Sequence, residues 1–481
     1  MKIRDIDDLL IWRYFDEITA IPRPSKNEGK IRAYLENFGR QHGLETLTDA
    51  VGNVLIRKPA APGYEDHTPV VLQSHMDMVC AVVPGKTFDC NKDPIPAYVD
   101  GGWVKSDGTT LGADDGVGVA AALAVLAAGD LSHPPLEALF TVDEESGMTG
   151  ARNLASDWLR GRMLINLDSE DEGELFIGCA GGQDTTATFR LFFEPVPENR
   201  VARKLTINGL TGGHSGDEIH KGRANAIKLA VRFLWSVTRD LEIRLAHLTG
   251  GTLRNAIPPE ADAIFVVAEE REAELDHLFS LFAETVRKEY EHTDPSMTLL
   301  LTETEMPAEV MPEKRQQDLL LSLYGCWHGV CSWSPAIPGL VQTSTNLALV
   351  RQENGTITVG TSQRSSLESE KEFMAETVAS VFRLAGARVE FGDAYPGWTP
   401  NPDSPVLKIT RQSYKELFGQ EPAVKAIHAG LECGLFLERY PGMDMISFGP
   451  TIRGAHTPEE KLDIPSTRKF WLLLTDVLKR I

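Results

Sequence analysis

Positive charge is scarce in this chain. Over 481 residues, 48 Lys and Arg face 69 Asp and Glu, a formal net charge of −21. Such a surface repels phosphate, which argues against nucleic acid as a partner. Cysteine is scarce as well: Cys80, Cys90, Cys179, Cys326, Cys331 and Cys433 are scattered, with no Cys-x-x-Cys pair. In a chain this long the pattern predicts reduced thiols in a reducing, cytoplasmic compartment rather than a disulfide framework. No apolar run approaches the length of a membrane span. Acids interrupt the apolar stretch of "MKIRDIDDLLIWRYF", so it reads as no secretory signal. What remains is an ordinary soluble composition, 42% hydrophobic and 24% charged, in a chain longer than one core usually holds. Two or three domains are expected.

Short runs rich in Val, Leu and Ile ("NVLIRK", "VVLQ", "ALFTV", "MLINL") suit strands buried on both faces. "VGVAAALAVLAAG" between two of them suits a helix stopped by Gly129, and Ser25 with Glu28 has the spacing of a capping box before another helix. Alternating strands and helices predict an α/β domain with a largely parallel central sheet flanked by helices. From about residue 186 the rhythm changes to β-α-β-β-α-β, the ferredoxin-like order, and then to the same order lacking its first strand. The expectation is an inserted α+β domain of two ferredoxin-like lobes, residues 186–397, closed by "YPGWTPNPDSP". Residues 1–185 and 398–481 then form one discontinuous domain.

Polar residues appear where the predicted strands end. "VVLQSHMDMVC" puts His75 and Asp77 after one strand, "FTVDEESGMTGA" puts Glu144 and Glu145 after another, and "INLDSEDEG" puts Asp168 after a third. "GADDGVGV" sets Asp114 and Asp115 before the Ala-rich helix, and "FGPTIRGAHTPEEKL" sets His456 in a late loop. Taken singly, each has a mundane alternative: a hydrogen-bonded surface pair, a turn or helix cap, a solvated loop, an exposed histidine. Two carboxylates and no following Lys exclude a phosphate loop at "GADDGVGV". Taken together, they lie where α/β sheets collect ligands, outside the carboxyl ends of strands. Acids gathered there would repel one another unless cations were present. Mixed His and carboxylate donors suit Zn²⁺, Mn²⁺ or Co²⁺.

The order His-x-Asp, Gly-Ala-Asp-Asp-Gly, Glu-Glu, Asp and a late His resembles the co-catalytic zinc metallopeptidases that include carboxypeptidase G, aminoacylase, tripeptidase and carnosinase. "NLDSEDEGELFIGCAGG", "GGHSGDEIHKGRANAI" and "HAGLECGLF" resemble the bacterial aminoacyl-histidine, or cytosolic non-specific, dipeptidases over nearly the whole chain. The resemblance implies a two-zinc catalytic domain interrupted by a lid. It implies that His75 and Asp168 bind one ion, that Glu145 and His456 bind the other, and that Asp114 bridges them. Asp77 would orient His75, and Glu144 would be the general base. A cis peptide at Asp114–Asp115 is common in that family, though no residue pattern points to it.

In the lid, His214 would stabilise an oxyanion with Asn255 as a companion donor, and Arg364 would clamp a substrate carboxylate. Glu432 would bind a free α-amino group. As ordinary structure, His214 reads as a turn histidine, Asn255 as a turn asparagine before Pro258, and Arg364 as a surface arginine near a helix start. The expected function is a metallo-dipeptidase acting on unblocked dipeptides of the Xaa-His type with broad side-chain tolerance. It would need two divalent ions and no nucleic-acid or membrane partner, as a monomer or homodimer. The alternatives are an N-acyl amino acid deacylase or a tripeptidase on the same scaffold, and, from another class, a metal-binding protein without activity.

Overall fold

The four apolar runs fold as strands Val54–Lys58, Val70–His75, Leu136–Thr141 and Met163–Asn166 of the computed structural model, which describes residues 2–481. Every residue of Val70–His75 and Leu136–Thr141 is buried, as their unbroken apolar character demands. They join an eight-stranded sheet in the order Glu45–Thr48, Val54–Lys58, Leu136–Thr141, Val70–His75, Met163–Asn166, Asp444–Ser447, Glu174–Cys179, Ala423–Ile427. Its middle is parallel, with His75 beside Thr141, Gln73 beside Asn166, and Ser447 beside Asn166. The flanking pairs are antiparallel.

This register brings four strand ends level. One buried polar side chain from each strand forms a rung there. Gln73 Nε2 donates to Thr141 Oγ1 (3.3 Å), Asn166 Nδ2 to Gln73 Oε1 (2.6 Å), and Ser447 Oγ to Asn166 Oδ1 (2.5 Å). Helix Ala113–Ala127 packs on Val70–His75 and on helix Leu10–Thr19. It is buried nearly all round, and its Ala and Gly residues permit that close approach.

The chain divides into two compact units. One comprises residues up to Cys179 together with Trp398–Ala426 and Leu431–Ile481; the other comprises Ala180–Gly397 and Ile427–Gly430. The second unit is built on a nine-stranded sheet. Arg200–Asn208, Ala226–Leu241, Arg244–Gly250, Ala261–Ala268, Glu272–Glu289 and Thr298–Glu303 form one β-α-β-β-α-β lobe. The other lobe uses Glu313–Gly325, Val341–Glu353, Thr356–Ser365, Glu368–Leu384 and Arg388–Tyr395. Its first strand is Gly181–Arg190, which pairs between Thr356–Ser365 and Arg388–Tyr395. That strand precedes the whole first lobe in sequence, which is why the second repeat reads as incomplete, and it spans the expected boundary at 185/186. Gly250 pairs with Val350 to join the lobes.

Two local expectations are overturned. Cys80 and Cys90 form a disulfide, with Cα atoms 6.1 Å apart, so not all six cysteines are reduced. Cys179, Cys326, Cys331 and Cys433 remain free. The intervening loop folds back by pairing with the strand-like segment before Asp114: Val83 N–H donates to Gly108 O, and Thr110 N–H to Ala81 O. That return is tertiary and invisible in cysteine spacing. Nor does the capping box form. The helix spans Gly29–Gln41 without a side-chain cap. Ser25 Oγ instead donates to Asp77 Oδ2 (2.8 Å), while Glu28 Oε1 accepts the N–H of Lys26 (2.7 Å) and of Asp143 (3.1 Å). Both side chains are drawn to the strand-end loops. Among the described residues no helix is long and apolar enough to cross a membrane.

Candidate active site

His75 closes its strand with the side chain 1% exposed. Its Nε2 lies 3.0 Å from Asp114 Oδ1 and 3.5 Å from Asp168 Oδ1. The other Asp114 oxygen, Oδ2, is 3.1 Å from His456 Nε2, which also lies 2.9 Å from Glu145 Oε2. The two oxygens of one carboxylate thus face two imidazoles, each accompanied by a second acid. Those separations match the roughly 3.3 Å edge of a tetrahedron with bonds of about 2.0 Å around one ion. Glu145 Oε1 is buried without a hydrogen-bond partner, a costly position for a carboxylate unless a cation completes it. The donor set therefore fits divalent metal.

Asp115, placed beside Asp114 by the sequence but given no ligand role, is also close enough to join His75 and Asp168 around an ion. Its oxygens are already engaged by backbone N–H groups, Oδ2 by His75 (3.2 Å) and Oδ1 by Gly118 (3.1 Å). It is better placed to hold the strand end than to ligate. The Asp114–Asp115 peptide is cis.

Asp77, fully buried, organises three segments. Its Oδ1 sits 3.4 Å from His75 Nδ1, a loose contact short of good hydrogen-bond geometry, and accepts from Glu144 N–H (3.1 Å). Its Oδ2 accepts from Glu145 N–H (3.3 Å) and Ser25 Oγ. Burial opposes its charge, but His75, Ser25 and the Glu144 N–H outweigh it and hold the carboxyl down at about 2. Burial also disfavours charge on His75, yet Asp168, Asp114 and Asp77 raise its basicity well above the usual imidazole range. Hydrogen bonds to Asp114 and Glu145 push His456 up to about 11. Burial, then Glu432, Glu145 and Asp114 against an opposing His75, pushes Glu144 up to about 8.

Glu432 starts helix Glu432–Arg439, in the same unit and 1% exposed. Its Oε2 accepts from Gln73 Nε2 (2.7 Å) and Thr141 Oγ1 (2.8 Å), while its Oε1 is buried without a partner. Burial pushes it up to about 7.

His214, Asn255 and Arg364 lie in the second unit. His214 Nδ1 accepts the N–H groups of Gly216 (3.3 Å) and Asp217 (3.2 Å), with Asp217 Oδ2 at 3.4 Å. Asn255 is exposed, and its carbonyl accepts Ser215 N–H (2.8 Å), which joins its loop to that of His214. Arg364 is 8% exposed; Nη1 donates to Tyr395 Oη (2.8 Å), and its buried Nε has no partner. His428 was missed by sequence reasoning. It is buried, bonds Ser344 Oγ (2.7 Å) through Nε2, and is held down at about 3 by burial and then by Arg364. It opens the motif "HAGLECGLF", where a single histidine between Ile427 and Ala429 carries no spacing that marks it for chemistry.

Comparison with known proteins bears on this geometry. The cytosol non-specific dipeptidase of Escherichia coli (strain K12) is 44% identical over 471 residues, 98% of this chain and 97% of that protein. The crystal structure of aminoacylhistidine dipeptidase from Vibrio alginolyticus matches with a TM-score of 0.94 and 42% identity, covering 100% of this chain and 98% of the other. A tripeptidase from Staphylococcus aureus, at 17% identity and a TM-score of 0.57 over 99% and 98% of the two chains, shares the fold. The profile of Peptidase family M20/M25/M40 matches residues 71–480, spanning every strand-end donor from His75 to His456, and the chain belongs to that family.

Proposed function

We propose that this peptidase is a metallo-dipeptidase that hydrolyses unblocked dipeptides, Xaa-His among them, with two divalent ions, zinc as first choice. The observation that carries the reading is Asp114, whose two oxygens face His75 and His456 separately at 3.0 and 3.1 Å. The two relatives, a cytosol non-specific dipeptidase and an aminoacylhistidine dipeptidase, suggest the substrate class. On this reading His75 and Asp168 hold one ion, Glu145 and His456 the other, and Asp114 both. Ions so held acidify water and polarise the scissile carbonyl. Asp77 keeps His75 in the tautomer that offers Nε2. Glu144, with a carboxyl raised towards neutrality, takes the proton from the attacking water and passes it to the leaving amine. In the second unit His214 and Asn255 serve as oxyanion donors, and Arg364 binds the C-terminal carboxylate. A cytosolic location rests on the name of the Escherichia coli relative.

Glu432 favours a dipeptidase over an N-acyl amino acid deacylase. A buried carboxylate oxygen without a partner suits a substrate ammonium and not an acyl group. The test is to load metal-free protein with zinc, count the ions, and compare a dipeptide with its N-acetyl derivative. About two ions per chain and strong preference for the free amine are expected. Glu432→Gln should lower kcat/KM for the free dipeptide about 10–100-fold and leave the acetylated one unchanged. No bound zinc, or preference for the blocked amine, refutes the proposal.

Arg364 makes a separate prediction. Losing a charge-assisted pair costs on the order of 2 kcal/mol, so Arg364→Ala should raise KM for free dipeptides roughly 30-fold. Dipeptide amides, which lack the carboxylate, should barely respond. Equal losses on both substrates would make Arg364 structural.

A further inference from the structure

Arg23, in "IPRPS", reads as a loop cation between two prolines, yet it is 2% exposed and among the largest fully buried side chains. Its Nη1 donates to Met76 O (3.1 Å) and Asp77 O (2.5 Å), and its Nη2 to Gly112 O (2.5 Å). The guanidinium thereby ties the His75–Asp77 strand end to the loop that delivers Asp114. Glu460, 3% exposed, grips the same loop from the other side. Its Oε2 accepts the N–H groups of Leu111 (2.7 Å) and Gly112 (2.8 Å), and its Oε1 those of Ala113 (2.7 Å) and Asp114 (3.2 Å). Three residues separate Glu460 from His456, and Glu460 N–H donates to Thr457 O within that short turn.

The two side chains form one buried strut. It runs from His75–Asp77 through Arg23 to Gly112, and from Asp114 through Glu460 to His456. The glycines of "GADDGVG" leave room for it: a Cβ at Gly112 would meet Arg23 Nη2 at 2.8 Å, and one at Gly116 would meet the same atom at 2.4 Å. Neither residue offers an atom to the ligand cluster itself.

We infer that Arg23 and Glu460 are positioning residues that set the spacing of His75, Asp114 and His456 before metal arrives. The inference rests on the ligand assignment proposed above. Two arms follow from the geometry. Glu460 holds the backbone that delivers Asp114 and lies on the loop of His456, so Glu460→Gln, which turns one acceptor oxygen into an amide that cannot accept, weakens metal binding. Arg23 ties the strand end of His75 to that same backbone, so Arg23→Lys, which has no planar fork to span three carbonyls, weakens it from the other side. Residues behind metal ligands typically control affinity by about 10–100-fold.

The rival reading makes Glu460 a cap on helix Ala113–Ala127 and Arg23 a structural tie, with consequences for stability alone. Titrating the metal-free full-length chain with Co²⁺ separates the two. Competition with a chelator gives each binding affinity, the visible cobalt spectrum reports coordination geometry, and melting without metal reports stability. Expected are a loss of about 10–100-fold in metal affinity for each variant and an altered cobalt spectrum. Gly116→Ala carries the test if Arg23→Lys does not fold. It removes no charge and no ligand and adds a helix-favouring residue, so displacement of Arg23 is its main consequence. Parent-like affinities and spectra in variants that only melt earlier overturn the inference. A parent that binds no cobalt overturns the ligand assignment and this inference with it.

Discussion

Asp114→Ala should strip both ions at once, whereas Asp168→Ala should strip one. Asp114 is the one carboxylate whose two oxygens face different imidazoles, at 3.0 Å from His75 and 3.1 Å from His456. Without it, one side keeps His75 and Asp168 and the other keeps Glu145 and His456. Two protein ligands fall short of the three or four that zinc sites use. The remaining acids would repel one another across the gap. Activity should fall by well over the ~10–100-fold typical of residues that only support a ligand. Elemental analysis after zinc loading reads the outcome directly. An Asp114→Ala chain that keeps two ions, or one as tightly as the parent, would show that the carboxylate does not bridge.

How much of this was legible in the chain depends on how local the signal was. His75, Asp77 and Asp168 could be placed because unbroken apolar runs stop at them, and such runs fold as buried parallel strands. Once those strands are parallel, their ends meet, so the convergence of His75, Asp114, Glu145, Asp168 and His456 follows from topology. The family resemblance added the pairing of donors, which spacing does not contain. Arg23 and Glu460 escaped notice for the opposite reason. "TPEEKL" looks like a solvated loop, and an arginine flanked by prolines looks like a surface turn. Their burial comes from backbone groups over 50 to over 340 residues away in sequence. The disulfide and the unformed capping box belong to the same class. Ser25 had a local use as a cap and was taken by Asp77, a partner 52 residues on. Gly181–Arg190 was missed as the first strand of the second lobe because its lobe resumes more than a hundred residues later.

Glu144→Gln and Glu145→Gln, though adjacent, should fail differently. Asp77 fixes both backbones, taking Glu144 N–H on Oδ1 and Glu145 N–H on Oδ2. Glu145 Oε2 reaches His456 Nε2 at 2.9 Å, within the ligand cluster. Glu144 makes no such pair; its carboxyl sits among acids and, by burial first, is pushed up to about 8. A bound ion would draw that value down towards the operating range of a general base. Gln at 144 keeps the shape and hydrogen-bonding reach but cannot take a proton. A positioned base contributes ~10²–10⁴-fold, so kcat should fall by at least that range with both ions retained. Gln at 145 trades a charged ligand for a neutral one. It should weaken the ion shared with His456, and added zinc should restore part of the activity. Metal content and kcat for both variants across a zinc series decide the matter. Rescue of Glu144→Gln by zinc, or identical behaviour of the two, would show that base and ligand have been assigned to the wrong carboxylates.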